Sequence, residues 1–554
     1  MRTAWRWLGA AVLVGAAVAA ACGGSAGGDG PPDGGGGTGS TGHADAGPDA
    51  GSDAGHPDAG DSDAGHPDAG NPDAGTDGGV GVIVPPSLGA GWTIYTSDEG
   101  LPASNVMGVS ADEAGNVYVA GGAAGLFVQR VGQGRFQQFG IADGLHPYGY
   151  LDGEMAKFKG VPDGTPADPS PSLTATPVIS VSGGTAGTVF VGYQGKPRCE
   201  DAWTWQCAVC VQRDANGNCV PGACTQATPA STWGDPAVYK SGDADKVALS
   251  GSGISVVHYD IFSGPGVVGG EPGGREKLCS IKRILFEHGT NNVWFGGNHG
   301  FALGKADFAG NPTCAGQIAC AGVLEHTHPA FNDDSGAFVT DDYYGIAIDP
   351  IAQGGLHDVW FGGAARSTRF RYGEAGGNYF EAENRTETYT SKNVNGDPAA
   401  LAAFHNRIDV WPDAVGEYDS AGNPTFPTKA QWNAGLDVVS GIAADPVDGS
   451  VYVASFGRGI RHLDHDGNFI EDLATPLFKN VSAIAIDADG SLWVGYKFVG
   501  GISRLHKGAA PEHFSKALGD LANSPVLDIQ VTPTTPRKIL VAFQNGAVAV
   551  YSGN

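Results

Sequence analysis

Residues 481–505 read VSAIAIDADGSLWVGYKFVGGISRL. Apolar residues recur at every second position, Ile484 and Ile486 and then Leu492 and Val494, which is the period of a β-strand with one buried face. Between the two runs stands Asp489-Gly490, a pair that accepts positive φ and so suits a tight hairpin. The glycine pair Gly500-Gly501 then opens a third run. The phrase is strand, turn, strand, turn, strand.

It is written again as NVMGVSADEAGNVYVAGGAAGLFVQRV from Asn105 and as VVSGIAADPVDGSVYVASFGRGIRHLD from Val438. Looser copies begin at Arg283, Tyr344 and Val526, and a copy from Val178 is interrupted after VISVSGGTAGTVFVGYQGK. Seven copies are expected. A less regular fourth strand, such as GRFQQFG at 134–140, follows the third. Four antiparallel strands in a unit of roughly 40 to 50 residues is the pattern of a propeller blade. The spacing from Tyr452 to Trp493 is 41 residues and from Trp493 to Leu540 it is 47. Earlier gaps are wider and carry insertions. The 92-residue gap from Trp360 to Tyr452 admits an alternative, an eighth blade around NRIDVWPDAVGEYD.

The chain ends in a third strand, GAVAVYSGN, with no fourth after it, while GWTIYTSDEGLP from Gly91 occupies the place that GRFQQFGIADGLHP holds after the first copy. Pairing 92–96 with 547–552 would leave the last blade without an open edge. The expected fold is therefore an all-β, seven-bladed β-propeller with four-stranded antiparallel blades, closed by N-terminal strand pairing with the C-terminal blade. It spans 87–554 and follows a disordered tether.

The stretch YTSDEGLPASNVMGVSADEAGNVYVAGGAAGL resembles the propeller repeat of two-component regulator sensor ectodomains. Their pattern runs aromatic-Tyr-Thr, Asp-Gly-Leu-Pro, Asn, an alternating strand, Asp-x-x-Gly, an aromatic strand and Gly-Leu. The resemblance is good over 92–126, fair over 437–505 and weak between. It implies a ligand-binding propeller; the membrane-spanning helix, sandwich domain and kinase of that family have no counterpart here, so the sensor role is not carried over.

Residues 1–21 combine Arg2 and Arg6 with an apolar run and small residues, the form of an export signal too short to remain as a span. VAAAC at 18–22 resembles a bacterial lipobox, which implies lipidation of Cys22, and Gly23 in place of aspartate implies the outer membrane or cell surface. The tether is expected over 22–86, and from Gly23 to Gly79 it is almost wholly Gly, Asp, Ala, Pro and Ser, similar to the tethers of myxobacterial lipoproteins. Nothing there offsets the entropy of ordering. As a flexible coil such a segment spans roughly 45 Å. Of the net charge of −27, the aspartates of residues 23–79 supply −11 and the leader +2, leaving −18 on the propeller. An acidic chain with no basic stripe excludes nucleic acid as a natural partner. The membrane is expected to be reached through the lipid, and the molecule is expected to be a monomer.

Beyond Cys22 there are eight cysteines: Cys199, Cys207, Cys210, Cys219, Cys224, Cys279, Cys314 and Cys320. In an exported chain an even number favours disulfides, here stapling an insertion at 196–235 within blade two. The rival is a metal site on the C-x-x-C at Cys207 and Cys210, but no second C-x-x-C follows. The strand phrase GISVVHYDI from Gly253 is taken as the third strand of that blade. Trp203 and Trp205 on the insertion are candidates for an aromatic platform, against plain packing of the loop.

Aligned on the glycine that follows, the turns between second and third strands read GGAAG, GYQG, GGNHG, GGAARS, ASFGRG, GYKFVGG and AFQNG. Their tips differ: Gln194, Asn298, His299, Arg366, Arg458, Lys497 and Gln544. Fixed turns carrying unlike polar tips are how a rigid ring builds a ligand site at its channel mouth, although hydrated loop tips need no ligand.

An enzyme reading is weaker. DADGSLW at 487–493 looks like the sialidase Asp box, itself a structural turn. EHTHP places His326 and His328 on one side of a strand, a metal pair only if a third ligand joins them. Glu154, His258, Asp341 and Asp342 have no defining spacing, and no hydrolase elbow, phosphate loop or dinucleotide fingerprint is present. The expectation is a binding or interaction module for a glycan, a peptide or an envelope protein, with no cofactor. The alternative is a lyase or lactonase using Ca²⁺ or Mg²⁺ in the channel.

Overall fold

A computed structural model describes residues 90–151, 160–162, 164–167, 178–196, 241–260, 280–297, 301–310, 323–327, 344–349, 357–363, 366–372, 407–409 and most of 439–553. The leader, the tether, the insertion at 196–235 beyond Lys196, and all the cysteines lie outside these residues, as do Glu154, Trp203, Trp205, Asn298, His299, His328, Asp341 and Asp342.

Strand β1 (Trp92–Tyr95) opens the described chain. The first sheet runs β2 (Gly108–Ala111), β3 (Val117–Ala120), β4 (Leu126–Gln129) and β5 (Gln137–Phe139). A two-residue ribbon, β6 (Tyr150–Leu151) with β7 (Thr165–Pro166), precedes the second sheet. That sheet is β8 (Val178–Gly183), β9 (Thr188–Tyr193), β10 (Ala244–Ser250) and β11 (Gly253–Tyr259). The third holds β12 (Ile281–Phe286), β13 (Asn292–Gly297), β14 (Phe301–Lys305) and β15 (Val323–Thr327). The fourth holds β16 (Gly345–Ile348), β17 (His357–Gly362), β18 (Arg366–Tyr372) and β19 (Arg407–Asp409). The fifth is β20 (Val439–Ala444), β21 (Val451–Ser455), β22 (Gly459–Leu463) and β23 (Phe469–Leu473). The sixth is β24 (Val481–Ile486), β25 (Leu492–Tyr496), β26 (Ile502–Leu505) and β27 (Glu512–His513). The last is β28 (Val526–Val531), β29 (Ile539–Phe543) and β30 (Val548–Tyr551), with β1 as its fourth member.

The described residues thus form an all-β propeller of four-stranded antiparallel sheets, without an α-helix. Seven such sheets are present. Trp92 pairs with Tyr551 and Tyr95 with Val548, within the register expected for the two ends of the chain. The Arg407–Asp409 strand, where an eighth blade was the alternative, pairs with β18 as the outermost strand of the fourth sheet. The phrase from Gly253 needs correction: it is the fourth strand of its sheet, and the third is ADKVALS at 244–250. Lys246 and Asp245 break the apolar signature of that third strand, which is why the pattern passed to its neighbour.

Apolar cores lie between successive sheets. One joins Val128 and Tyr118 to Val181 and Val191, and another joins Tyr452 and Ile460 to Ile484 and Val494. Leu540, Ala542, Val548 and Val550 of the last sheet pack with Val109, Val119 and Phe127 of the first. Second-strand aromatics occupy these interfaces, and Trp294, Trp360 and Trp493 are fully buried. Each buried indole contributes on the order of 2 to 3 kcal/mol through the surface it removes from water.

The segments that follow β1 and β5 share one form. Each is a single 3-10 turn, Ser97–Glu99 and Ile141–Asp143, whose acidic residue accepts the N–H three positions earlier, at Thr96 (2.7 Å) and Gly140 (2.8 Å). This is the structural content of the shared acid-Gly-Leu sequence, Glu99-Gly100-Leu101 and Asp143-Gly144-Leu145: it turns the chain from an outermost strand toward the next innermost one.

Candidate functional site

One end of the sheets carries both the turns between second and third strands and the entries to the innermost strands. Gln194 and Gln544 are exposed there, and Arg458 and Lys497 are half-buried. Arg366 is the first residue of β18. Each described turn is fixed by its backbone. The Ser455 hydroxyl accepts the N–H groups of Gly457 and Arg458 at 3.2 and 3.3 Å. Lys497 donates its N–H to the Asn480 carbonyl at 2.9 Å, and Gln544 accepts from Asn105 at 3.3 Å.

The structure brings Lys497 to residues whose role was not read from the sequence. Its ammonium lies 4.3 Å from the ring centre of Phe456, in the turn of the preceding sheet. Asn480 donates to the Phe456 carbonyl at 2.7 Å. Tyr344 meets Phe456 edge-on at 6.0 Å, and the Lys282 ammonium stands 6.0 Å from the Tyr344 ring. A band of cation and aromatic side chains thus crosses the third to the sixth sheets. Burial lowers the Lys497 ammonium pKa below its ordinary value. A desolvated cation over a ring gains more from that contact than an exposed one. Phe456 was visible in ASFGRG, but only the tip that varied most drew attention there.

Next to this rim, at the base of the second sheet, lies a buried polar cluster. Asp245 and His258 are cross-strand partners on β10 and β11, with His258 Nδ1 at 2.8 Å from Asp245 Oδ1 and Nε2 at 3.7 Å from Asp243 Oδ2. The other Asp245 oxygen accepts the Tyr193 hydroxyl and the His146 N–H, the latter at 2.6 Å. The His146 ring stacks on Tyr150 and tilts against His258, with 4.7 Å between centroids in both cases. Burial alone would lower the His258 pKa, but Asp243 and Asp245 outweigh it and raise the imidazole to about 10. Burial, helped by the charge of His258, lowers His146 to about 4. A general base must be unprotonated near neutral pH. His258 is instead a fixed cation between two carboxylates, a structural use that its lone appearance in the sequence did not reveal.

Residues adjacent in sequence to the cluster, at either end of the insertion, are also bonded. Lys196 N–H donates to Ser241 Oγ at 2.7 Å, Gly195 N–H to Ser280 Oγ at 2.9 Å, and Gly242 N–H to the Pro147 carbonyl at 3.0 Å.

The innermost strands present serines rather than convergent acids and histidines. Ser110 Oγ accepts from Gly183 at 2.8 Å, and Ser180, Ser440 and Ser482 donate to the carbonyls of Ile281, Val481 and Val526 at 2.7, 2.6 and 2.5 Å. Among the described residues no group of three or more His, Cys, Asp or Glu side chains is placed to hold a metal ion. His326 lies on β15, the outermost strand of its sheet. In the sialidase-like turn, Asp489 accepts the Ser491 N–H at 2.8 Å and Asp487 accepts that of Ala488 at 2.6 Å, a turn that holds its own backbone.

No family model matches the chain, and no curated protein matches it. Among solved structures it is similar to one described as "YCF48 bound to D1 peptide", at 10% identity and a TM-score of 0.39, covering 85% of this chain and 100% of that one.

Proposed function

We propose that the chain is an exported, lipid-anchored interaction module whose seven sheets are the blades of one closed propeller, of the kind found in two-component regulator ectodomains. Closure is supported by the β1–β30 pairing and by the apolar core shared by the last and first sheets. Anchoring is supported by the leader and by Cys22 at its end. Ligand recognition falls on the loop face, and the observation that carries it is the band Lys282, Tyr344, Phe456 and Lys497, which runs over successive blades. Rigid aromatic anchors beside cations and amides are the composition that glycan and peptide ligands use. The partner class is a glycan, a peptide or an envelope protein.

A screen of glycan and peptide arrays with the full chain tests this reading. Phe456→Ala and Lys497→Ala should weaken any bound ligand by roughly tenfold or more each, while a substitution of exposed Val131 on β4's outgoing turn leaves binding unchanged. Hits that ignore both rim variants would remove the loop face from the account. Cys22→Ala should release the protein from membranes and abolish its labelling by a fatty-acid analogue.

A further inference from the structure

The serine bridges between innermost strands give way to a carboxylate at one junction. Asp528, on β28 of the last sheet, accepts the Val109 N–H of β2 at 3.0 Å through Oδ2. Its Oδ1 takes the Arg283 guanidinium of β12 at 2.7 Å and the Gln530 amide at 3.0 Å. Arg283 therefore reaches from the third sheet to the last, past the first and second. In a closed ring that line crosses the central channel. The Asp528 side chain is 4% exposed and that of Arg283 24%, so the pair is partly shielded from solvent and from salt.

Local backbone irregularity aims both groups. β12 shifts register between Ile281 and Arg283, and β28 between Val526 and Asp528. An extra residue on one strand turns the side chains around it away from their regular direction. The Asp528 junction lies on the innermost edge of the last sheet, opposite the outer edge that β1 completes, and joins that sheet to the first. A charged acceptor makes a stronger bond to a backbone N–H than a hydroxyl does.

We propose that Asp528 and Arg283 form a latch. One oxygen of Asp528 staples the last blade to the first, and the other ties that seam to the opposite wall of the channel. The latch concerns ring integrity, stands apart from the binding reading, and needs no ligand.

Hydrogen exchange on the full chain tests it, using Asp528→Asn, Arg283→Gln and the double variant. Asp528→Asn keeps an oxygen that can accept from Val109 but ends the ion pair. Exchange at the amides of β2, β12 and β28 should rise roughly tenfold in each single variant and little further in the double one, because both remove one coupled interaction. Amides of β20 and β21 should stay protected. Effects that multiply in the double variant, or that spread evenly over all sheets, would overturn the latch. Should Asp528→Asn fail to fold, the Arg283→Gln exchange map decides alone: loss localised to the seam supports the latch, and its absence refutes it.

Discussion

His258 is charged, buried, and held by two aspartates that are themselves fully buried. Its pKa stands near 10 against an ordinary 6.5, so the stabilisation it supplies is complete below about pH 6.5 and is lost as pH rises toward 10. His146 has the opposite sign. Its pKa is lowered from 6.5 to about 4, so its contribution is present above about pH 6.5 and is lost as pH falls toward 4. Thermal midpoints across pH 4 to 10 should therefore fall on both sides of neutrality. His258→Gln should remove part of the alkaline fall and destabilise by about 3 to 5 kcal/mol, since it leaves buried carboxylates without their cation. An unchanged alkaline limb in that variant would show that His258 does not carry the charge assigned to it. None of this was legible from His258 alone. Its partner Asp245 sits on the strand whose polar residues hid it, and a cross-strand pair exists only once register is known.

Strands are where the sequence spoke most clearly, because period-two alternation and glycine turns are local properties. What lay beyond it was the reason for the small residue near the end of each second strand: Ala120, Gly192, Gly296, Gly362, Ala454, Gly495 and Ala542. A Cβ on Gly495 would lie 2.4 Å from Val526 Cγ1, and one on Gly362 would lie 2.3 Å from Val439 Cγ1. In both cases the obstacle is the first residue of the next innermost strand. The position is small because a neighbouring blade leans on it, a contact between residues dozens of positions apart. Gly495→Ala should cost about 1 to 3 kcal/mol by overpacking, and Gly495→Ala with Val526→Ala should recover part of that loss in a thermal melt. Equal losses in the single and double variants would place the strain elsewhere. The register shifts shared by β8, β12, β20, β24 and β28 near their second residue were equally hidden, since a bulge leaves no mark on alternation until the partner strand is known.

At the scale of the molecule, a chain that repeats one phrase must decide where to stop. A single antiparallel blade cannot bury both of its faces, and each added blade leaves two faces open until the last meets the first. Trp92 sits one interface earlier, between the sixth sheet and the seventh. It is 1% exposed and contacts Tyr551, Phe514 and Trp493 with ring centroids at 5.0, 5.4 and 6.3 Å. The N-terminal strand therefore does two things: it pairs with β30 and plugs the aromatic core between the sixth and seventh sheets. Trp92→Ala should cost about 3 to 5 kcal/mol while leaving the strand's backbone pairing available. Deleting residues 90–96 removes both functions and bares the edge of β30, a ready template for pairing with another copy. Light scattering on the two variants separates the roles. The substitution should melt earlier but remain a monomer, whereas the deletion should self-associate. A deletion that stays monomeric with an unchanged melting point would mean that the last blade holds its edge by other means, and that the two ends of the chain do not close the ring.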